Sequence, residues 1–315
     1  ELAEILLRKG SKDMKKIIND PSNVLPEMVS GLVRTYPQHL QQLADTYVVA
    51  RNDQIKPGKV GIVSGGGSGH EPLHAGFVGR GMLDAAVCGQ VFTSPTPDEV
   101  LAAIKASDQG QGVLLIVKNY SGDVMNFDIA RDLADLEGIH VEQIIVDDDI
   151  SVENSTYTQG KRGVAGTILV EKIIGAAAEA GLALDQLVSL GQQVISQTHT
   201  IGVALAPATV PEVGKPGFEL ADDEIEYGVG IHGEPGYKRQ KLVPAHELVQ
   251  ELLQKLTDSF SGLQDKKIAV LVNGLGSTPL MEQYIFMNDT LNLLDQAGAK
   301  VEFTKVGSFV TSLEM

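Results

Sequence analysis

Residues 112–123 read GVLLIVKNYSGD, an unbroken run of apolar side chains followed at once by polar and small ones. A continuous apolar run of this length predicts a strand that is buried on both faces of a parallel sheet. Helical spacing follows in residues 124–136. The order strand, polar loop, helix is typical of an α/β fold, in which such loops lie at the carboxyl end of the sheet.

The same alternation continues along the chain. Residues 141–146 form another apolar run, and residues 201–205 begin a second set of strands. The 34 glycines among 315 residues suit many tight turns between strands and helices. The sequence therefore predicts an α/β protein of two domains, residues 14–198 and 199–315, each a mainly parallel or mixed sheet flanked by helices.

The first fifty residues are interpreted in two parts. Residues 1–13 end in a tag-like sequence just before Met14, which resembles a natural start, so we expect them to be an expression-tag remnant. Residues 21–50 show helical spacing that runs through Leu32 and continues to Leu40.

Composition disfavours several classes of partner. The net charge is −16 and no long cluster of Lys and Arg is present, so nucleic acid and an anionic membrane surface are unlikely targets. The single cysteine, Cys88, allows no intrachain disulfide and no cysteine-based zinc site. Because the apolar runs are also too short to cross a bilayer and no signal peptide is evident, we expect a cytoplasmic protein.

The first candidate ligand loop is GGGSGHEP at residues 65–72, directly after an apolar strand. Its backbone amides could surround a small polar ligand. It lacks the Gly-Lys-Ser/Thr ending of a Walker loop, and His70 stands where a dinucleotide fingerprint has its third glycine. His70 therefore either acts on a ligand or caps and packs a tight turn.

Two further loops follow strands. In residues 118–123, Asp123 is either a functional carboxylate or a helix N-cap, and Lys118 either a ligand contact or a solvated charge at a strand edge. Residues 147–149 are three aspartates, which would suit a hard cation. Three consecutive side chains on a strand cannot all point one way, so we favour a charged strand end and predict no metal site.

The fourth loop, GVGIHGEPG at residues 228–236, places His232 between glycines. Neighbours of this kind leave an imidazole little covered, which favours a functional histidine over a packed one. The remaining histidines lack such a setting and are interpreted as structural or surface residues: His39, His74, His140, His199 and His246.

Several of these segments also resemble one family. In the same order, the motifs are similar to those of the substrate-binding subunits of dihydroxyacetone kinases, in particular the phosphotransferase-dependent type, and the resemblance covers residues 14–315. The motifs that carry it are GGGSGHEP at 65–72, FTSPTP at 92–97, KNY with GD at 118–123, and GVGIHGEPG at 228–236.

The resemblance implies a role for each candidate residue. It implies that His232 forms a hemiaminal with the carbonyl carbon of dihydroxyacetone. His70 and Asp123 would bind the substrate hydroxyls and act as acid and base. The remaining pocket residues that it implies are Gly67, Ser68, Gly69 and Lys118. A neutral imidazole is a competent nucleophile near pH 7, and covalent capture would select a ketone or aldehyde over a polyol.

The resemblance also implies the partners. This chain would bind no cofactor itself, because ATP or ADP and Mg²⁺ would lie on a separate helical kinase subunit, supplied with phosphoryl groups by ATP or by a phosphotransferase relay. A homodimer is expected, as is a further strand beyond residues 311–315. The alternative is a non-catalytic paralogue that senses dihydroxyacetone and co-activates transcription. The presence of both His70 and Asp123 favours the enzyme.

Overall fold

A computed structural model describes residues 15–153 and 155–315, and the predicted tag remnant at 1–13 lies outside the described residues. The helices of the described part are α1 (Val24–Thr35), α2 (Pro97–Ser107), α3 (Ser121–Leu136), α4 (Thr167–Glu179), α5 (Leu184–Ser196), α6 (Ala245–Ser259) and α7 (Leu280–Gln296). The strands are β1 (Leu40–Gln42), β2 (Val48–Arg51), β3 (Gly61–Ser68), β4 (Ala85–Val91), β5 (Val113–Lys118), β6 (Val141–Val146), β7 (Val203–Ala204), β8 (Glu224–Tyr227), β9 (Lys238–Lys241), β10 (Lys267–Asn273) and β11 (Lys300–Gly307).

A six-stranded sheet in the order β1-β2-β4-β3-β5-β6 organises the first half of the described chain. Strands β4, β3, β5 and β6 run parallel, and β1 and β2 form an antiparallel edge. All six residues of β5 are buried, as the apolar run predicts. Its alternate side chains divide between two cores, because Leu114 and Ile116 pack with α1, α4 and α5, whereas Leu115 and Val117 pack with α2 and α3.

The strands of the second half lie in two smaller sheets. Strands β7, β8 and β9 form an antiparallel sheet, and β10 and β11 pair in parallel. Helix α6 packs on both α7 and β8 through Leu248 and Leu252. The predicted α/β class is therefore confirmed, whereas the domain boundary at 198/199 stays a prediction. None of the helices in residues 15–153 and 155–315 is long and apolar enough to cross a membrane.

The helical interpretation of residues 21–50 is correct only as far as Thr35. Leu40, expected to continue the helix, begins strand β1 instead, where it pairs with Arg51 of β2. The side chain of Leu40 is buried in either arrangement, so apolar spacing alone could not distinguish them. Pairing with β2, which sequence periodicity does not reveal, decides the outcome.

Candidate active site

The predicted ligand loops meet at the carboxyl ends of β3 and β5. His70 follows β3 by two residues, and Asp123 lies in the first turn of α3, just after β5. Gly67 is required here by a close approach, since a Cβ at this position would lie 2.6 Å from the backbone nitrogen of Thr93. The glycine-rich segment therefore packs directly against the chain that follows β4.

His70 is buried and fixed in orientation. Its Nδ1 lies 2.7 Å from the carbonyl oxygen of Thr311, which can only accept, so Nδ1 carries the proton. Its ring stacks on Phe92 with centroids 5.0 Å apart. Burial first, and then the electrostatic effects of His232 and Lys118, hold the pKa of His70 well below its usual value. A neutral ring with Nδ1–H leaves Nε2 as a free acceptor.

His232 faces this free atom. The two Nε2 atoms of His232 and His70 are 3.1 Å apart, although the residues are 162 positions apart in the chain. Glu234 holds the other side of the His232 ring: Nδ1–H donates to Oε1 at 2.9 Å, and the backbone N–H of His232 donates to Oε2. Burial would raise the pKa of Glu234, but these hydrogen bonds outweigh it and keep the carboxyl below its usual value. The Glu234 carboxylate, the His232 ring and its Nε2 are thus aligned as in an activated nucleophile.

The glycines around His232 do not leave the ring bare, contrary to the sequence-based expectation. The side chain is only 17% exposed, and the edges of Tyr120 and Phe92 lie against it with centroids 4.7 and 5.1 Å away. Gly230 instead makes room for Glu234, because a Cβ there would collide with its carboxylate. Gly230 therefore makes room for the carboxylate that contacts His232.

Asp123 is not the N-cap of α3. That position belongs to Tyr120, and Asp123 is the third residue of the helix. Its side chain is buried, its Oδ2 lies 3.8 Å from Lys118 Nζ, and its Oδ1 has no hydrogen-bond partner within residues 15–153 and 155–315. An unpaired buried carboxylate oxygen is costly unless a ligand satisfies it, which favours the functional interpretation.

The other predicted pocket residues differ in what they offer a ligand. Lys118 is 1% exposed, so the alternative of a solvated strand-edge charge is wrong. The Ser68 hydroxyl donates to the carbonyl of Gly89, and the Gly69 amide donates to the Glu71 carboxylate. The side chain of Ser68 and the amide of Gly69 therefore hold the loop itself, and the backbone near Gly67 is what lies beside the site.

Residues 147–149 support the site from behind. Arg162 is fully buried, donates through Nε to Asp149 at 2.8 Å, and donates through Nη2 to the carbonyl of Gly228 at 2.6 Å. This contact ties the loop of His232 to the end of β6. Asp148 accepts the backbone N–H of Gly166 and is also buried. In the part of the chain that the structure describes, no group of three or more His, Cys, Asp or Glu is arranged to hold a metal ion.

Sequence reasoning missed three residues that complete the site: Glu234, Tyr120 and Arg162. Glu234 could have been suspected, because it stands two positions after His232 within a quoted motif. Tyr120 also stands within a motif, but nothing in the sequence shows that its ring contacts His232. Arg162 lies outside every motif, and only the fold brings it to Asp149 and Gly228.

Comparison with known proteins gives one consistent result. Residues 30–315 match the Dak1 domain family. The chain is 62% identical over 302 residues to the dihydroxyacetone-binding subunit DhaK of PTS-dependent dihydroxyacetone kinase 1 from Listeria innocua, covering 96% of this chain and 92% of that protein. It is 43% identical over 304 residues to the DhaKLM operon coactivator DhaQ of Lactococcus lactis, covering 95% and 91%.

Comparison with solved structures points to the same family. The dihydroxyacetone kinase of C. freundii in complex with AMP-PNP and Mg²⁺ superposes with a TM-score of 0.85 at 36% identity, covering 96% of this chain and 56% of that one. The family match spans most of the chain, and the similarity to DhaK subunits extends over nearly its whole length. The chain therefore belongs to the Dak1 family and is a homologue of the substrate-binding subunits of dihydroxyacetone kinases.

Proposed function

We propose that this chain is the dihydroxyacetone-binding subunit of a dihydroxyacetone kinase, which captures the ketone on His232 and presents a hydroxyl for phosphorylation. The observation that carries the proposal is the 3.1 Å approach of the Nε2 atoms of His70 and His232. Both Nδ1 atoms are occupied by fixed partners, Thr311 and Glu234. Each Nε2 is therefore the ring atom that is available to a substrate.

Capture on His232 balances without a co-reactant. The lone pair of Nε2 attacks the carbonyl carbon, the electrons of the C=O bond move to oxygen, and that oxygen takes up a proton. The proton on the oxygen comes from water and the Nδ1 proton passes through Glu234 back to water, so the ring ends neutral and the adduct contains every atom of the ketone. Glu234 favours this step because it fixes the reactive tautomer and stabilises the positive charge that builds up on the ring.

His70 and Asp123 serve the hydroxyl groups. The bare Nε2 of His70 accepts a hydrogen bond from a hydroxyl of the bound triose. The unpaired Oδ1 of Asp123 accepts the proton of the hydroxyl that is phosphorylated. A positioned base of this kind contributes about 10²–10⁴-fold. Phosphoryl transfer otherwise depends mostly on positioning, which the covalent bond supplies.

The phosphoryl group would come from a nucleotide held with Mg²⁺ on a partner kinase subunit. Two findings support a nucleotide site that lies outside this chain. The Listeria relative is one subunit of a PTS-dependent kinase, and the C. freundii enzyme solved with AMP-PNP and Mg²⁺ extends well beyond the 56% that this chain matches. We further propose a homodimer, with a phosphotransferase relay acting on the partner subunit and not on this chain.

A second candidate is a coactivator that binds dihydroxyacetone without catalysis. It is favoured by 43% identity to the operon coactivator DhaQ. The kinase subunit is the better-supported proposal, because identity to the Listeria DhaK reaches 62% and because both His70 and Asp123 are in place.

The deciding experiment has two arms. Dihydroxyacetone labelled with ¹³C at its carbonyl carbon should show conversion of that carbon from sp² to sp³ on binding, and His232→Ala should abolish it. The second arm measures dihydroxyacetone phosphate formation with a helical kinase subunit and either ATP or a phosphoenolpyruvate relay. An adduct without turnover from either donor would favour the coactivator, and no adduct on the unaltered chain would refute the proposed function.

A further inference from the structure

Behind Asp123 and Lys118 lies a buried row of polar side chains that the proposed chemistry does not use. Lys118 Nζ is 2.9 Å from His74 Nε2, and His74 Nδ1 is 2.6 Å from Glu171 Oε1. Ser64 Oγ lies 3.0 Å from the same Nδ1. All of these side chains are buried. A chain of hydrogen bonds therefore runs from Glu171 on α4 to Lys118, whose ammonium lies beside the candidate base on α3.

The direction of each hydrogen bond follows from the groups themselves. A lysine ammonium can only donate, so His74 Nε2 accepts from Lys118 and the ring carries its proton on Nδ1. That Nδ1–H donates to Glu171. The Ser64 hydroxyl donates to the carbonyl of Ile116 at 2.6 Å and so leaves a lone pair towards the ring. Burial first, and then the charge of Lys118, hold the pKa of His74 well below its usual value, which keeps Nε2 unprotonated, as this order requires.

The position of the ammonium is set by His74 and not by Asp123. The separation between Lys118 Nζ and Asp123 Oδ2, 3.8 Å, exceeds a hydrogen bond. Within residues 15–153 and 155–315, the bond to His74 is the hydrogen bond that Nζ makes. Gly66 allows the ammonium to lie there, since a Cβ would be 2.5 Å from Nζ.

Glu171 belongs to the same arrangement. Burial raises its pKa to about 8, with Lys118 acting in the opposite direction. Burying a carboxyl, an imidazole and an ammonium in one row costs more free energy than filling the same space with apolar side chains. This cost favours a functional role for the row. The row ends at Asp123, whose Oδ2 lies 3.8 Å from Lys118 Nζ; within residues 15–153 and 155–315, Asp123 Oδ1 and Glu171 Oε2 have no hydrogen-bond partner.

We propose that His74 and Glu171 are positioning residues for phosphoryl transfer: together they hold the Lys118 ammonium beside Asp123, so that this carboxylate is placed to accept the substrate proton. The inference rests on the proposed function, since Asp123 is the base only in that reaction. It assigns a role to His74, which the sequence alone marked as structural or surface.

The test compares His74→Ala, His74→Gln and Glu171→Gln with the unaltered chain, assayed with the helical kinase subunit. Gln at position 74 keeps an acceptor for Lys118, whereas Ala does not. We expect His74→Ala to lower kcat roughly 100-fold while capture on His232 changes only a few-fold. The effects on kcat and on capture should therefore separate, because the ketone is captured at His232 whereas the ammonium lies beside Asp123. Glu171→Gln should lower kcat in the same way, and His74→Gln should recover most of the activity.

Asp84→Asn is the matched control. Asp84 is equally buried and binds Lys59 and Arg51 at the opposite end of β3, far from Asp123. This control should lower thermal stability while leaving kcat and capture unchanged. If His74→Ala behaves like this control, or if His74→Gln loses as much activity as His74→Ala, the positioning role is refuted. A His74→Ala chain that does not fold leaves the decision to His74→Gln and Glu171→Gln.

Failure of the two proposals is distinguishable. If the unaltered chain forms no adduct and no product, the proposed function fails and the inference fails with it. If the unaltered chain turns over but His74→Ala lowers capture and kcat alike, without recovery in His74→Gln, only the inference fails.

Discussion

Replacing Glu234 by Gln tests whether the carboxylate makes His232 a nucleophile. The substitution keeps size and shape but removes the charge and one of the two acceptors. In the native site, Oε1 accepts Nδ1–H of His232 at 2.9 Å and Oε2 accepts its backbone N–H. A Gln side chain can satisfy only one of these donors. If its amide nitrogen faces the ring, Nδ1 must become the acceptor, and the proton then blocks Nε2.

The expected loss can be worked out from these contacts. A hydrogen bond to a charged group contributes about 1.5–3 kcal/mol. Losing the charge-assisted contact to Nδ1 should therefore weaken capture of dihydroxyacetone roughly 10- to 150-fold. Glu234 is fully buried at its side chain, so solvent screening should not reduce the effect.

The assay is titration with ¹³C-carbonyl dihydroxyacetone, reading the fraction of sp³ adduct. Glu226→Gln is the control, because Glu226 accepts the N–H of Gly236 in the same loop and pairs with Arg239 without contacting His232. Capture by Glu234→Gln that equals the unaltered chain would show that the carboxylate does not activate His232. An equal loss in Glu226→Gln would show that loop stability, not activation, is responsible.

Three further outcomes are expected. Asp123→Asn should retain the adduct on His232 but lower turnover about 10²–10⁴-fold, and unchanged turnover with the kinase partner would exclude it as the base. In denaturant titrations, the unaltered chain should lose up to about 2 kcal/mol of unfolding free energy relative to His70→Gln between pH 7 and pH 5. The reason is that the His70 imidazole of the unfolded chain takes up a proton below pH 6.5, whereas the buried ring of the folded chain, whose pKa is lowered, does not. Parallel curves of unfolding free energy against pH for the two chains would contradict this. Gly67→Ala should weaken both capture and stability, the latter by about 1–3 kcal/mol, because its Cβ meets the backbone of Thr93, and normal melting and capture would contradict it.

The fold class could be predicted because the strands that matter are buried on both faces. Strand β5 is a continuous apolar run in the sequence and is wholly buried in the structure. Strand β1 could not be predicted, because its three residues are held by pairing with β2 and carry no pattern of their own. Apolar spacing reports which side chains are buried, not which backbone they pair with.

Candidate site residues could be predicted from the sequence where they stand within a short motif. His70, His232 and Asp123 each stand in a segment rich in glycine or polar residues, and the first two are brought to 3.1 Å. Position in a motif did not tell whether Asp123 is a helix cap; the structure places Tyr120 at the N-cap and leaves Asp123 buried with an unpaired oxygen.

Contacts across long stretches of chain explain what was missed. Glu171 lies 97 positions from His74, so no local pattern links the two. His74 stands in an ordinary sequence context, which gives no sign that its ring accepts from Lys118. Such contacts can be recognised only in the folded structure, where the sheet brings the carboxyl ends of β3 and β5 close to α4.

The anchoring of His70 by the carbonyl of Thr311 has a consequence for biosynthesis. The glycine-rich loop is made early, yet the atom that orients its histidine is supplied near the last described residue, as is the amide of Leu313 that donates to Gly69. A nascent or truncated chain thus contains His70 without the Thr311 carbonyl that fixes its tautomer. The hydrogen bond that His70 is proposed to accept from a substrate hydroxyl should therefore become possible only late in synthesis, when both halves are folded.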